Sequence, residues 1–226
     1  MTVSRGPLVF LGPSLPETAA RSVLPCATYV PPARRGDLDA VDEQRFSEVI
    51  LIDGVMVYDH PPSPTEVYRL VQRGVSVLGA ASIGALRAVE LAGLGVRGIG
   101  WVYEQFQAGR VTADDELVAR LDPRNGQAST LFLINLRYAA EHMLHAGELC
   151  TDQADRLVTS LAALHFEQRT AAQVRTFADE AGIPPSIVEQ MLGPKFDIKA
   201  RDAAAALAEM GKTVRSAAAG SMGAGR

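Results

Sequence analysis

The residues with the clearest capacity for chemistry lie between Val75 and Glu90, where an apolar, strand-forming segment runs directly into a helix-forming one. Ser82 stands at the junction. Gly79 and Gly84 flank it and permit a tight turn with close approach of neighbouring backbones. A hydroxyl there would lie at a helix N-terminus, where unpaired N–H groups favour a developing negative charge. Ser82 is therefore a candidate nucleophile.

The spacing around this serine approaches the nucleophile elbow G-x-S-x-G without matching it. In Gly79-Ala80-Ala81-Ser82-Ile83-Gly84 the first glycine comes one residue early. Backbone N–H groups near Ile83 would hold the oxyanion of a tetrahedral intermediate. The alternative is that Ser82 only caps the following helix.

A serine nucleophile needs a base within hydrogen-bond reach. His60 lies on a predicted loop, whereas the other three histidines fall in predicted helices as surface or packing residues. The lysines are Lys195, Lys199 and Lys212. Lys199 opens the last predicted helix and could be held rigidly, but a lysine base must be neutral, so its pKa would have to fall well below about 10.4. Each lysine could equally be an ordinary surface residue.

Polar residues follow the other predicted strands, at the sheet edge where parallel sheets bind ligands. Arg34 and Arg35 could bind a carboxylate or another anion, or could be solvated. Asp53 could orient a base or bind an arginine, or could make an Asp-Gly turn. The backbone N–H groups around Gly12 and Ser14 could line an oxyanion site, although Ser14 could instead be a helix N-cap.

Composition limits the classes of function. The chain has 226 residues, a net charge of -4 and a pI near 5.6, which argues against a nucleic-acid or anionic-membrane surface. No segment approaches the roughly 20 apolar residues that span a bilayer, so we expect a soluble cytoplasmic protein without cofactors. Cys26 and Cys150 indicate no disulfide framework. The acidic run Asp114-Asp115-Glu116 is better explained as the first turn of a predicted helix over Asp114–Arg120 than as a metal site.

Apolar runs alternate with amphipathic segments in the first half of the chain, which predicts an α/β domain with a mostly parallel sheet and flanking helices. The second half predicts helices only, and this part should pack back on the sheet edge. We expect an α/β hydrolase-like domain over 1–125, a helical region over 126–212 and a disordered tail over 213–226. The predicted strands are Leu8–Leu11, Ala27–Val30, Glu48–Ile52, Val75–Leu78 and Gly98–Val102. Between the third and fourth of them, the capping box Ser63-Pro64-Thr65-Glu66 predicts the start of a helix.

Several of these segments together resemble the TfuA family. The resemblance spans roughly the first 120 residues, and Asp197-x-Lys199-x-x-Asp202-Ala203 is similar to the family's C-terminal signature. The segments, in chain order, are Phe10-Leu11-Gly12-Pro13-Ser14-Leu15, Pro31-Pro32-Ala33-Arg34-Arg35-Gly36-Asp37, Ile52-Asp53-Gly54-Val55, Gly79–Ala88 and Asp114-Asp115-Glu116.

The resemblance implies a partner of YcaO enzymes, which replace a peptide amide oxygen with sulfur during the biosynthesis of modified peptides. It implies hydrolysis of the C-terminal thiocarboxylate of a ThiS-like sulfur-carrier protein, which releases sulfide for the YcaO enzyme, and help in engaging the substrate peptide. The family's Ser-Lys pair corresponds to Ser82 and Lys199, with Lys195 as the alternative lysine. The histidine that follows the acidic run in some members is absent here, where Val118-Ala119-Arg120-Leu121 stands. The competing hypothesis is a non-catalytic adaptor that recruits the substrate peptide to the YcaO enzyme.

Overall fold

The computed structural model describes residues 6–57, 59–124 and 126–223, with side chains as far as Ser216. They form two compact units. The first comprises the described residues up to Thr112 together with those from Lys199 onward, and the second comprises the described residues of Ala113–Ile198. The predicted α/β class is confirmed, because the first unit contains a parallel sheet with flanking helices and the second is helical.

The sheet of the first unit has five strands in the order β2-β1-β3-β4-β5, and every neighbouring pair is parallel. All carboxyl ends therefore lie along one edge, as the sequence predicted. The strands are β1 (Leu8–Phe10), β2 (Thr28–Val30), β3 (Glu48–Leu51), β4 (Ser76–Ala80) and β5 (Val96–Ile99).

Both faces of this sheet are buried, because alternate residues of the central strands enter two separate apolar cores. In β3, Val49 and Leu51 pack into one core, while Ile50 packs into the other. The first core includes Val67 and Leu70 of α2 together with residues of α3. The second core receives α1 and α9. The helices of this unit are α1 (Glu17–Val23), α2 (Pro64–Gln72), α3 (Ile83–Glu90), α4 (Trp101–Gln107) and α9 (Ile198–Gly223).

Local capping signals predicted α2 correctly. The Ser63 hydroxyl accepts a hydrogen bond from the Glu66 N–H, and the Glu66 carboxylate accepts one from the Ser63 N–H. Gly74, with φ of +87°, follows the end of the helix.

Ser14 does not cap α1, because the residue that precedes this helix is Pro16. The possible role of Ser14 as an N-cap is therefore wrong.

The fifth strand lies earlier than predicted. It ends at Ile99, and Trp101 and Val102 belong to α4 instead of completing a strand over Gly98–Val102. Gly100 adopts a φ of +98°, which ends the strand and turns the chain into the helix.

The second unit is helical, as predicted for this part of the chain. Thr170 caps α7, because its hydroxyl accepts a hydrogen bond from the Gln173 N–H. The acidic run forms only a short 3-10 turn over Asp114–Leu117, where a longer helix to Arg120 was expected. The helices are α5 (Leu133–His145), α6 (Thr151–Ala162), α7 (Ala171–Glu180) and α8 (Pro185–Met191), with further 3-10 turns at Phe166–Gln168 and Pro194–Phe196.

The division of the chain differs from the expected one at both boundaries. The first unit ends at Thr112, earlier than residue 125, and it also includes the C-terminal helix α9 from Lys199 onward. Residues 213–223 of the predicted disordered tail continue α9, because the alanine-rich segment favours propagation of an existing helix. The last part of that prediction, 224–226, lies outside the described residues. None of the described helices is both long enough and apolar enough to cross a bilayer.

Candidate functional site

The chain makes a strained turn between β4 and α3. Ala81 has a φ of +65°, which is uncommon for a residue other than glycine, and the Ser82 N–H donates to the Ala80 carbonyl at 2.7 Å. This is a γ-turn centred on Ala81, a conformation that stores strain and persists only where the surrounding structure enforces it. The turn delivers Ser82 to the first position before α3, at the carboxyl end of the sheet.

Two glycines allow α3 to begin directly against the sheet. A Cβ on Gly84 would lie 1.7 Å from the Leu51 carbonyl oxygen, and a Cβ on Gly79 would lie 2.1 Å from the Gly84 carbonyl oxygen. Neither position has room for a side chain. The unusual spacing of the glycines around Ser82 therefore reflects contacts of the helix with β3 and β4.

The Ser82 hydroxyl does not serve as a helix cap. Its side chain is 3% exposed and makes no capping hydrogen bond with α3, so the capping alternative is wrong for the hydroxyl. At the start of α3, the Gly84 N–H donates to the Ile52 carbonyl, and the next two N–H groups donate to the Ser82 carbonyl. Within the described residues, this leaves the Ile83 N–H as the first helical donor without a backbone acceptor.

Asp53 has a structural role in this arrangement. Its buried carboxylate accepts hydrogen bonds from the Gly12 N–H at 2.9 Å, the Ser14 N–H at 3.1 Å and the Ser14 hydroxyl at 2.6 Å. The predicted use of the Gly12 and Ser14 N–H groups as oxyanion donors is therefore unsupported, because Asp53 already occupies them. Gly54, the residue after Asp53, packs directly against the serine turn, because a Cβ on Gly54 would lie 2.8 Å from Ile83 Cγ2.

The two predicted anion-binding arginines differ in their surroundings. Arg34 is largely exposed, and its guanidinium lies 3.6 Å from the Asp59 carboxylate. Arg35 is tied to the loop after β3: its N–H donates to the His60 carbonyl at 2.9 Å, and its Nε donates to the Pro61 carbonyl at 3.1 Å. Arg34 is thus the more available of the two, while Arg35 joins the loops that follow β2 and β3. The His60 side chain is exposed.

Lys199 is buried, with 1% of its surface exposed, and belongs to the first unit. The helix it opens packs on the sheet, because Ala203 and Leu207 share a core with Ala80 and Ala81. Those two alanines immediately precede Ser82. The core that α9 enters therefore extends to the residues directly before the serine turn.

Asp202 connects α9 to the end of β5. Its carboxylate accepts hydrogen bonds from the Trp101 N–H at 3.1 Å and the Val102 N–H at 2.8 Å. Burial raises the pKa of Asp202 to about 6, against the opposing effect of the Val102 and Trp101 N–H groups. Since β5 is the neighbour of β4 in the sheet, this contact fixes α9 at the edge that carries Ser82.

The other two lysines have different environments. Lys195 is exposed and belongs to the second unit, where its Nζ lies 5.1 Å from the centre of the Phe196 ring. Lys212 is exposed on α9 and pairs with Glu209 at 3.1 Å. Of the three lysines, Lys199 alone is buried.

The acidic run stabilises the second unit through arginines. Asp115 accepts from the Arg169 guanidinium at 2.5 Å, and Arg169 is fully buried with further hydrogen bonds to the Asp115 and Leu161 carbonyls. Glu116 accepts two hydrogen bonds from Arg137. Among the described residues, no group of three His, Cys, Asp or Glu side chains is arranged to hold a metal ion.

Two contributions to the site were missed from the sequence. Asp202 and Gly100 form one contact across about a hundred residues, and no local pattern links them. Arg87 is nearly buried on α3, where its Nε donates to the Pro62 carbonyl at 2.7 Å and its Nη1 to the Glu90 carboxylate. The sequence signal for the role of Arg87 was an arginine on the apolar face of the helix predicted after Ser82.

Comparison with known proteins agrees with the sequence motifs. A family model described as TfuA-like protein matches residues 53–170, just over half of the chain, including Asp53 and the serine turn. A comparison with curated proteins gave no match. On the family match, the chain belongs to the TfuA-like protein family.

Proposed function

We propose that this protein hydrolyses the C-terminal thiocarboxylate of a ThiS-like sulfur-carrier protein and supplies the sulfide to a partner YcaO enzyme. The observation that carries the proposal is the Ser82 turn: a strained backbone holds a serine at a helix N-terminus, and its hydroxyl does not cap the helix. The buried Lys199 on the packed helix α9 supports a Ser-Lys mechanism.

In the first step, neutral Lys199 accepts the proton of the Ser82 hydroxyl, and Oγ attacks the thiocarboxylate carbon. Burial of a lysine in general favours the neutral amine, which is the form that this proton transfer requires. The Ile83 N–H and the N-terminus of α3 stabilise the oxyanion of the tetrahedral intermediate. The C–S bond then breaks, and sulfur leaves as hydrosulfide with the proton that Lys199 returns.

The second step regenerates the serine. Lys199 accepts a proton from water, the resulting hydroxide attacks the Ser82 ester, and the carrier leaves with an ordinary carboxylate. The proton held by Lys199 passes to the Ser82 oxygen, and one proton enters the solvent. The net reaction consumes one water and yields one hydrosulfide for each thiocarboxylate, with no redox change.

Arg34 binds the anionic end of the carrier tail, because its guanidinium is exposed near the same edge of the sheet. An open cavity of about 260 Å³ lies beside Gly12 and Pro31 at the ends of β1 and β2, and it gives room for the residues that precede the thiocarboxylate. We place the reaction in the cytoplasm, since Cys26 and Cys150 are both unpaired and exposed, as is usual in a reducing compartment.

The test is the rate of sulfide release from a thiocarboxylated carrier protein. Ser82→Ala should reduce the rate at least 1000-fold, since the covalent route is lost, and Lys199→Ala should reduce it at least 100-fold. Ser76→Ala is the matched control, because Ser76 is an exposed serine at the start of the same strand. Lys195→Ala should leave the rate within twofold.

The adaptor hypothesis predicts a different result. If Ser82→Ala releases sulfide at the wild-type rate and still supports thioamidation by the YcaO enzyme, the hydrolase proposal is wrong. The protein would then act by recruiting the substrate peptide. A loss of rate in Lys195→Ala or His60→Ala with an unchanged Lys199→Ala would replace the proposed base.

A further inference from the structure

Asp202 makes a contact that is unusual for a side chain on a surface-covering helix. Each of its carboxylate oxygens accepts one backbone N–H at the start of α4, from Trp101 and from Val102. The residue is only 5% exposed. A two-oxygen contact of this kind fixes the position of the carboxylate in both distance and direction.

The Asp202 carboxylate occupies space that is open because Gly100 has no side chain. The φ of this glycine is +98°, and a Cβ at this position would lie 2.4 Å from the Asp202 Cγ and within 2.7 Å of both carboxylate oxygens. The backbone of the β5–α4 connection therefore forms a recess that the Asp202 side chain fills. The recess belongs to the strand next to β4, which carries the Ser82 turn.

Lys199 precedes Asp202 by three residues on α9, which is close to one helical turn, so the two side chains lie on neighbouring parts of one helix face. We propose that Asp202 is a positioning residue: its contact with the Gly100 recess sets the depth and rotation of the first turn of α9 and thereby holds Lys199 in its buried place. The inference rests on the proposed function for its catalytic meaning, since Lys199 is the proposed base.

The apolar packing of α9 cannot supply this positioning alone. In the turns of α9 nearest Lys199 the residues that enter the core are small, Ala203 and Ala206, whereas Leu207 and Met210 lie farther along the helix. Small side chains there leave the start of the helix free to slide or rotate. A polar contact with fixed geometry removes that freedom at the end of the helix where the base lies. Displacement of a catalytic group by about 1 Å can cost on the order of 100-fold in rate.

Amine labelling tests the positioning without any assay of sulfide release. The folded protein is treated briefly with an acylating reagent, and labelling at Lys195, Lys199 and Lys212 is measured by peptide mass spectrometry. In the wild type we expect Lys199 to label at least 10-fold more slowly than the two exposed lysines. Asp202→Ala should raise the relative labelling of Lys199 at least 10-fold.

Controls for this experiment come from the same helix. Glu209→Ala removes an exposed carboxylate from α9 and should leave Lys199 protected, with Lys195 as the reference. If Asp202→Ala fails to fold, Asp202→Asn is used in its place, because it keeps one acceptor oxygen and should raise labelling by a smaller factor. Unchanged protection of Lys199 in a folded Asp202 variant would overturn the proposal.

A double-mutant cycle of Lys199 and Asp202, measured as the rate of sulfide release, tests whether the position of Lys199 matters for catalysis. Asp202→Ala should lower kcat for sulfide release about 100-fold and leave KM within threefold, since the substrate contacts remain. The double variant Lys199→Ala, Asp202→Ala should be no slower than Lys199→Ala alone, because Asp202 acts through the lysine. Independent, multiplying losses would contradict the positioning role. A wild type without sulfide release would refute the proposed function and leave the labelling result intact.

Discussion

Substitution of Gly84 by alanine tests the geometry of the serine turn most severely. Helix propensity alone predicts that Gly84→Ala stabilises α3 by about 1 kcal/mol. The structure predicts the opposite, because the new Cβ would lie 1.7 Å from the Leu51 carbonyl oxygen, a backbone atom that cannot rotate away.

The expected loss of stability in Gly84→Ala follows from the displacement of α3 that the new side chain requires. The start of α3 has to shift away from β3 by more than 1 Å, which breaks the hydrogen bond from the Gly84 N–H to the Ile52 carbonyl. Overpacking of a core costs about 1–3 kcal/mol, and a buried N–H left without an acceptor adds about 1–3 kcal/mol. We expect Gly84→Ala to lower the free energy of unfolding by about 3–5 kcal/mol and to displace Ser82.

Urea unfolding followed by tryptophan fluorescence measures this change, since Trp101 is the single tryptophan and lies in the first unit. Gly211→Ala is the matched control. Gly211 lies within α9, and an added Cβ would make ordinary contacts no closer than 3.4 Å, so this variant should gain up to about 1 kcal/mol. If Gly84→Ala is as stable as the wild type, the described contact between α3 and β3 is wrong.

Burial raises the pKa of Asp202 from 3.8 to about 6, so the folded protein favours the protonated carboxyl group. This contribution to stability is complete below pH 4 and is lost as the pH rises through 6, by about 3 kcal/mol. Asp202→Asn should lack this loss when the free energy of unfolding is measured in urea between pH 4 and 7. Arg169→Ala should lower the free energy of unfolding of the second unit by about 3 kcal/mol, whereas Arg156→Ala, which removes an exposed pair, should cost less than about 1 kcal/mol, both measured by circular dichroism. Arg34→Ala should raise KM for a thiocarboxylated carrier about 10-fold with kcat unchanged, and an unchanged KM would remove Arg34 from the binding site.

Features that depend on neighbours in sequence were predicted well. The apolar runs of β1 and β3, the capping box at Ser63 and the turn at Ser82 each reflect local spacing. Their energies come from nearby side chains and backbone groups, so the pattern of residue types carries the information. The first four strands and the location of the serine turn could therefore be predicted from the amino-acid sequence.

Features that depend on distant residues could not be derived in the same way. Asp53 was expected at the sheet edge, but its partners, Gly12 and Ser14, lie about forty residues earlier, and they use the N–H groups that the sequence suggested for an oxyanion site. The connection from β5 to α4 is held by Asp202, about a hundred residues later. Such pairings depend on tertiary packing, which no spacing rule reveals.

In the proposed reaction the Ser82 hydroxyl attacks the carrier's thiocarboxyl carbon. Peptide mapping of an acid-quenched reaction, with the protein in excess over a thiocarboxylated carrier, tests it directly. We expect the C-terminal residue of the carrier to be ester-linked to the peptide that contains Ser82, and we expect no adduct in Ser82→Ala. An adduct on a different residue, with sulfide released at the wild-type rate by Ser82→Ala, would contradict the claim.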